Sequence, residues 1–386
     1  MISFRFHKYH LIILIYIIIE LIKRIFRESL QIPKTEKKKT ENRDNFRNLQ
    51  MFLSHILILY FYYDEIKKIK SLQKAQVDSS NISILNTHLT IPKSQRGKVK
   101  IHKEQIWLLI LITSLLHLIA YFPMQRLFRE MDVNLNNITG FYILIIIIIE
   151  KIILNTQFSY HHILSGIILI IFTIVSLILV KIEKGYDFIN LIVDLLVYCS
   201  YHCIPMALIF NIYSYVHKNY YVSLYLLSGF SAIISLICTL ILEFFIPGKT
   251  ILTIIADFQL KDYFYNFLIF ICMGIQNFLN ILILIYFKPC VIGILSSFFP
   301  TLKMFIDFVI KEGKFKQKYL ALYIINGVCQ IFLILAALIF CEILILKFWS
   351  LDVGIKEIHF NSDENENIKN DIDFSFENKN NISQDS

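Results

Sequence analysis

The sequence predicts an all-α integral membrane protein with about ten transmembrane helices, and two observations lead to that prediction. First, 56% of the 386 residues are hydrophobic and only 18% are charged, whereas soluble proteins average about 45–50% apolar and about 25% charged residues. Second, apolar runs of about 20 residues, the length of helix that crosses a bilayer core, recur along the chain with polar breaks between them.

The first half of the chain, residues 1–180, is predicted to contain five of these spans. Two of them are weak, since Glu20 interrupts the first and the second is short and amphipathic, so the minimum total is eight. The basic, polar stretch 64–104 has no apolar core of its own and is predicted to be a cytosolic loop. The predicted spans of this half are 8–26, 47–63, 105–124, 137–154 and 161–180.

The second half, residues 187–346, is predicted to contain five more spans, followed by the tail 347–386. From Asp352 to Ser386 the tail carries nine acidic residues against three lysines and few apolar residues, a composition typical of a disordered segment. An even number of spans places both termini on one side of the membrane, and we expect that side to be cytosolic. The predicted spans of this half are 187–212, 222–246, 263–287, 290–310 and 319–346.

The ninth predicted span carries two charges at membrane depth, Lys303 and Asp307. They are four residues apart, so they share a helix face and can pair. Intramembrane charges are costly and usually face a bundle interior or a cavity. One interpretation is that Lys303 binds an anionic part of a substrate and Asp307 holds Lys303 when the site is empty. The other is that the two residues only neutralise each other, with Lys303 reaching toward the interface.

Uncharged polar residues form a stripe on the eighth predicted span, at Gln276, Asn277 and Asn280. They are candidates for hydrogen bonds to a sugar or a base, although such residues also join neighbouring helices, typically for about 0.6 kcal/mol each. In the sixth span, Asp194 is the deeper of two acidic residues and is the candidate for proton coupling. Its alternative role is that of an interfacial residue.

The sequence gives little support for a metal site or for enzymatic chemistry. Cys199 and Cys203, with His202 between them, are the only metal-like grouping, and no second pair of ligands accompanies them. Buried cysteines in apolar segments usually act as small hydrophobic residues. No Gly-rich phosphate loop, Gly-x-Ser-x-Gly or His-Glu-x-x-His motif is present in the sequence. We therefore expect no bound metal, no cofactor and no enzymatic activity.

Three short passages, 161–173, 220–229 and 296–303, carry a family resemblance. The third contains the step Thr301-Leu302-Lys303, with Asp307 one turn later. Together with five plus five short-looped spans, these passages resemble the drug/metabolite transporter superfamily (EamA type), and within it the solute carrier 35 and nucleotide-sugar-transporter-like members. The Thr-Leu-Lys step is similar to a ninth-span motif of those carriers, whose lysine meets the anionic part of the substrate.

The resemblance implies two inverted five-helix repeats with a substrate site near the membrane midplane and transport by alternating access. We expect a small polar organic solute, with a nucleotide sugar or a sugar phosphate as the narrower form of that expectation. Membrane lipids and the solute are the expected partners, nucleic acid is not, and a homodimer is compatible with the sequence. We expect an endomembrane location, in the Golgi, endoplasmic reticulum or vacuole, rather than the plasma membrane.

Two other functions remain open on the sequence alone. A multi-pass scaffold, or a carrier that has lost transport, is favoured by Ile-rich spans with few glycines, 11 in 386 residues, because carriers pack helices closely through small residues. An integral-membrane enzyme would need paired His or Asp clusters at the membrane face, and the sequence offers no such pairing beyond the isolated His161-His162.

Overall fold

The computed structural model describes residues 2–4, 9–29, 49–63, 66–67, 102–130, 139–156, 158–184, 188–220, 222–245, 259–295, 320–340 and 344–346. Within this part of the chain almost every residue is helical, which confirms the predicted helical class. Four helical segments are long and apolar enough to cross a membrane, as expected for a membrane-embedded protein. These segments are Lys103–Tyr121, Ile192–Asn219, Leu224–Leu242 and Leu260–Tyr286.

Ten α-helices are named here in chain order over the described residues. They are α1 His10–Ser29, α2 Leu49–Tyr63, α3 Lys103–Glu130, α4 Thr139–Leu154, α5 Tyr160–Lys184, α6 Phe188–Tyr198, α7 Ile204–Asn219, α8 Leu224–Phe245, α9 Leu260–Tyr286 and α10 Leu320–Phe340. A further helical stretch begins at residue 290 and is described to residue 295.

The segment that the sequence predicted as one span at 187–212 differs from the expectation. It consists of α6, a five-residue π-helix at Cys199–Cys203, and α7, which continues to Asn219. Pro205, in the first turn of α7, lacks a backbone N–H and suits that position. The predicted end at residue 212 lies inside α7, where the side chains of Tyr213 and Ser214 are buried in the bundle.

Local chemistry sets the ends of α9. The Gln259 backbone N–H donates to Asp262 Oδ2 at 3.1 Å, and a reciprocal bond from the Asp262 N–H completes a capping box. This arrangement satisfies backbone donors that the first helical turn leaves without a partner. The helix ends at Tyr286, shortly before Pro289, whose ring disfavours helical geometry in the residue before it.

Two three-residue strands lie outside the helices, β1 at Ile2–Phe4 and β2 at Leu344–Leu346. They pair antiparallel, with Ile2 opposite Leu346 and Phe4 opposite Leu344. The sequence predicted helix as far as residue 346, so the strand is a correction to that prediction. Ile and Leu runs do not distinguish a short strand from a helix end. The pairing places the segment before α1 beside the segment after α10.

The orientation of α3 shows how the bundle is arranged relative to its surroundings. Its outer face carries the exposed residues Leu108 and Leu115, each 58% exposed, while Thr113, Ser114 and His117 on the other face are buried. A surface helix of a soluble protein has the opposite arrangement, with its apolar stripe inward. An apolar exterior around polar contacts is the arrangement expected for a helix in lipid.

Helix pairs meet through small and polar side chains. Helix α5 packs along α10, where Ser165 Oγ donates to the Ala336 carbonyl at 2.6 Å and the rings of Phe172 and Phe332 stack with centroids 4.5 Å apart. Helix α1 packs along α9, and α3 contacts both α7 and α8. Helix α4 packs against α7 and leads into α5. The buried core therefore lies where α3, α4, α7, α8 and α9 converge.

Candidate functional site

The polar stripe predicted on the eighth span lies on α9 and faces into the bundle. Gln276 and Asn277 are buried, and Asn280 is half-buried one turn further along. Asn277 Nδ2 donates to Ser54 Oγ at 2.8 Å and lies 2.8 Å from His55 Nδ1, so it connects α9 to α2. The three residues thus lie on a contact surface between helices, and Asn280 reaches beyond it into a cavity.

The cavity lies among α2, α3, α7, α8 and α9 and has a volume of about 40 Å³. On this measure a cavity needs only about 10–15 Å³ to hold one water molecule, so the cavity in this conformation has room for a few water molecules. Pockets that bind small organic molecules usually measure about 300–1,000 Å³. A solute of that size therefore requires the helices around the cavity to move apart. Its polar lining includes His55, His117, Tyr213, Ser228, Asn277 and Asn280.

Aromatic and polar groups hold the walls of the cavity in place. The rings of His55 and His117 meet edge to face with centroids 5.9 Å apart, and His117 stacks on Tyr121 at 6.3 Å. On the opposite wall, the Tyr213 hydroxyl lies 3.1 Å from Ser231 Oγ. The carbonyl Oδ1 of Asn280 is buried, and none of the described residues donates a hydrogen bond to it. A buried acceptor of this kind costs about 1–3 kcal/mol unless a donor reaches it.

A cluster of charged side chains lies on α1, in contact with Gln276 of α9. Glu20 and Lys23 are 2% and 7% exposed, and Arg24 Nε donates to Glu20 Oε1 at 2.9 Å. The Lys23 ammonium contacts both Glu20 Oε2 and Gln276 Oε1, while Gln276 Nε2 donates to Glu20 Oε2 at 2.9 Å. From the sequence, Glu20 is only an interruption of the first predicted span. Its spacing of three and four residues from two cations was the signal for a paired intramembrane cluster.

The remaining predicted site residues are not brought together with this group. Asp194 is half-buried on α6, whose neighbouring Ile192 and Val193 are exposed, and it is not among the residues that line the cavity. Lys303 and Asp307 lie outside the described residues, so their pairing stays a prediction.

A second polar cluster lies where α4, α5 and the stretch 290–295 meet. Glu150 is fully buried, and its Oε2 accepts the backbone N–H of Cys290 at 2.9 Å. The rings of His161 and His162 lie 4.3 Å apart, and the Nδ1 atoms of both contact Ser159 Oγ. Glu150 thus binds the first turn of the helical stretch that follows Pro289, where the positive end of the helix dipole favours a carboxylate.

The π-helix at Cys199–Cys203 brings His202 toward the core, with Nδ1 3.2 Å from the Ala120 carbonyl. Among the described residues, no three His, Cys, Asp or Glu side chains come together as ligands of one metal ion would.

No family model matches this chain, and no curated protein sequence matches it. A functional interpretation therefore rests on the residues and their geometry.

Proposed function

We propose that this protein is a multi-pass membrane transporter of a small polar organic solute that works by alternating access. The observation that carries the proposal is a small cavity between helices of an apolar-surfaced bundle, lined by polar as well as apolar side chains. Polar groups inside a membrane are costly and mark substrate or ion pathways. Transporters place such groups near the bilayer midplane, where two halves of the bundle meet and rock against each other.

The described helices support a ten-span arrangement. Spans one to five are α1 to α5, the joined α6 and α7 form the sixth, and α8 and α9 are the seventh and eighth. The ninth begins at residue 290, and α10 is the tenth. The pairing of β1 with β2 supports an even number of crossings, because it places the segments before α1 and after α10 on one side.

The pattern of helix contacts supports two equivalent halves of five spans. We compare the halves by exchanging each span of the first half with the span five positions later in the chain. Spans five and ten, which are α5 and α10, then change places, so their contact is reproduced. Spans one and eight, which are α1 and α9, are in contact. Their counterparts, spans six and three, are also in contact, through α7 and α3. Spans three and seven, which are α3 and α8, are in contact. Their counterparts, spans eight and two, are joined by the hydrogen bond between Asn277 of α9 and Ser54 of α2. Because five is odd, such halves would have opposite orientations in the membrane, as in inverted-repeat transporters.

The cavity lies at the junction of these proposed halves. His55 and His117 come from the first half, and Ser228, Asn277 and Asn280 come from the second. Rocking of the halves would widen the cavity toward one face of the membrane at a time. Hydrogen-bonding side chains on both walls suit a polar solute, and a nucleotide sugar or sugar phosphate is the narrower proposal. Membership of the drug/metabolite transporter superfamily, an endomembrane location and a homodimer remain part of this proposal.

The test is a thermal-shift screen of the purified protein, followed by exchange measurements in liposomes. Nucleotide sugars, sugar phosphates, nucleotides and amino acids form the panel. A bound ligand at one hundred times its Kd should stabilise the protein by about 2.7 kcal/mol. In Asn280→Leu this stabilisation and the exchange should be lost, because the acceptor in the cavity is removed.

The matched control is Asn219→Leu, which makes the same chemical change at an exposed residue whose Nδ2 donates to the Tyr215 carbonyl. It should bind and exchange the ligand as the unmodified protein does. If no solute class stabilises the protein and none is exchanged, the transport proposal is wrong and a scaffold role takes its place.

A further inference from the structure

His55 has two hydrogen-bonding neighbours that require opposite protonation states of one ring nitrogen. Its Nδ1 atom lies 3.0 Å from the backbone carbonyl of Met51, one turn earlier in α2, and 2.8 Å from Nδ2 of Asn277 on α9. A carbonyl oxygen can only accept a hydrogen bond, whereas an amide NH2 can only donate one. Nδ1 therefore bonds to Asn277 when it carries no proton and to Met51 when it carries one.

The contact of His55 with Asn277 lies at the junction of the two proposed halves. Helix α2 belongs to the first half and α9 to the second, and Asn277 also donates to Ser54 Oγ at 2.8 Å. The two helices approach each other closely here, because a Cβ atom added at Gly274 of α9 would lie 3.0 Å from Leu57 Cδ1. A hydrogen bond at this position holds α2 on α9 while the cavity is closed.

His55 also lines the cavity, so water reaches its ring when the cavity widens. Burial disfavours the charged form of a histidine, and hydration removes that penalty. The neutral ring therefore suits the closed cavity, and the protonated ring suits an open one. Histidine is the side chain whose charge ordinarily changes between about pH 5 and 8.

The neighbours of His55 distinguish it from the second histidine of the cavity. His117 has ring contacts with His55 and Tyr121, all within the first half, whereas His55 reaches Asn277 in the second. The polar residues of α8 and α9 that line the cavity do not ionise. The titratable and charged groups on the other surrounding elements are His117 and Tyr121 of α3, Tyr213 of α7, and Glu20, Lys23 and Arg24 of α1, which meets α9 at Gln276.

We infer that His55 is a proton-binding residue, and that a proton on its Nδ1 opens the cavity by breaking the hydrogen bond from Asn277. The inference rests on the proposed transport function and adds that transport is coupled to protons. The proton comes from water in the widening cavity and binds the lone pair of Nδ1, so the neutral imidazole, which carries its hydrogen on Nε2, becomes an imidazolium. The new N–H donates to the Met51 carbonyl, and it faces the Asn277 NH2 as donor against donor. The proton site thereby moves from Asp194, the candidate from the sequence, to the cavity wall.

The test measures how readily the cavity opens at different pH values and needs no identified solute. In a cysteine-free background, Ser228→Cys places a thiol in the cavity wall, where the serine is 3% exposed. Its rate of labelling by a water-soluble maleimide, in the purified full-length protein, is divided by that of Asn219→Cys at an exposed position, because the reactive thiolate itself increases with pH. The normalised rate should be about threefold or more higher at about pH 5.5 than at about pH 8.

Substitution of His55 identifies the responsible group. His55→Asn keeps an amide near the position of Nδ1 but takes up no proton, so the normalised rate should no longer depend on pH. The matched control His102→Asn changes an exposed histidine directly before α3 and should leave the pH dependence intact. The inference is overturned if the pH dependence is absent from the start, if it persists in His55→Asn, or if only His117→Asn removes it.

Asn277→Asp tests the same contact without removing His55. A carboxylate at this position attracts the protonated ring and holds α2 on α9 at low pH. Low pH should then slow the labelling of Ser228→Cys instead of accelerating it. The same acceleration with Asn277 and with Asn277→Asp would overturn the inference, including in the case that His55→Asn does not fold.

Exchange in liposomes separates the inference from the transport function on which it rests. If a nucleotide sugar, sugar phosphate, nucleotide or amino acid is exchanged at the same rate across this pH range, with and without His55→Asn, transport stands and proton coupling is wrong. If Ser228→Cys is not labelled at any pH and none of these solutes is exchanged, the transport function fails and the inference fails with it.

Discussion

Gly293 provides a quantitative test of how closely the stretch 290–295 approaches α4. A Cβ atom added at Gly293 would lie 2.8 Å from Ile146 Cδ1 and 3.4 Å from Ile143 Cα. Both isoleucines are fully buried, and the backbone of Ile143 cannot shift as readily as the end of the Ile146 side chain. Overpacking of this kind costs about 1–3 kcal/mol. Replacing a glycine inside a helix by alanine also stabilises the folded protein, by up to about 1 kcal/mol, because alanine has the higher helix propensity.

A matched control isolates the packing cost. Gly166 lies within α5, and a Cβ atom there would meet nothing within 4 Å. Gly166→Ala should therefore show only the gain in helix propensity, and the difference between Gly166→Ala and Gly293→Ala should equal the overpacking, about 1–3 kcal/mol. The measurement is thermal unfolding of both variants in the same detergent. The order of melting temperatures should be Gly166→Ala highest and Gly293→Ala lowest.

A double-mutant cycle identifies the responsible atom. Ile146→Val removes Cδ1, the closest atom to the added methyl group, and in the unmodified protein it should cost about 0.5–1.5 kcal/mol. In the Gly293→Ala background it should cost less or restore stability, because the two sites are in contact and do not behave additively. If Gly293→Ala is as stable as Gly166→Ala, the close packing of α4 on this stretch is refuted.

Two further predictions concern other helix contacts. Glu150→Leu should destabilise the protein by about 1–3 kcal/mol because the N–H of Cys290 loses the Glu150 carboxylate as its acceptor. Glu150→Gln keeps an acceptor oxygen and should cost less. Equal melting temperatures for the two variants would exclude this capping role. In a cysteine-free background, Ser165→Cys combined with Ala336→Cys should be joined by a short bifunctional thiol reagent, since Ser165 Oγ lies 2.6 Å from the Ala336 carbonyl. The pair Ile163→Cys with Ala336→Cys should not react, as Ile163 is exposed on another face of α5.

The helical class and the inward face of α9 were predictable from sequence for simple reasons. The length and composition of an apolar run indicate whether a helix lies in lipid. A spacing of three to four residues indicates which side chains share one face of a helix. Gln276 and Asn280 are four residues apart in one helix, so their position on one face was predictable from the spacing.

The partners of that face were not predictable. Glu20 and His55 are more than 200 residues from α9 in the chain, and helical periodicity carries no information about which helices become neighbours. The sequence did not predict the π-helix before Pro205 or the two short strands, because residue pattern alone does not determine the backbone conformation of segments this short. The roles proposed for Lys303 and Asp307 remain predictions.

The small sheet formed by β1 and β2 has a consequence for the order of biosynthesis. Ile2 precedes α1 in the chain and its partner Leu346 follows α10, so β1 has no strand to pair with until all the helices between them have been made. Contacts of such long sequence separation carry the largest loop-closure entropy and tend to form late in folding. The sheet therefore forms only after α10 has been made, and a chain truncated before residue 344 would leave the backbone of β1 unpaired and open to other strands.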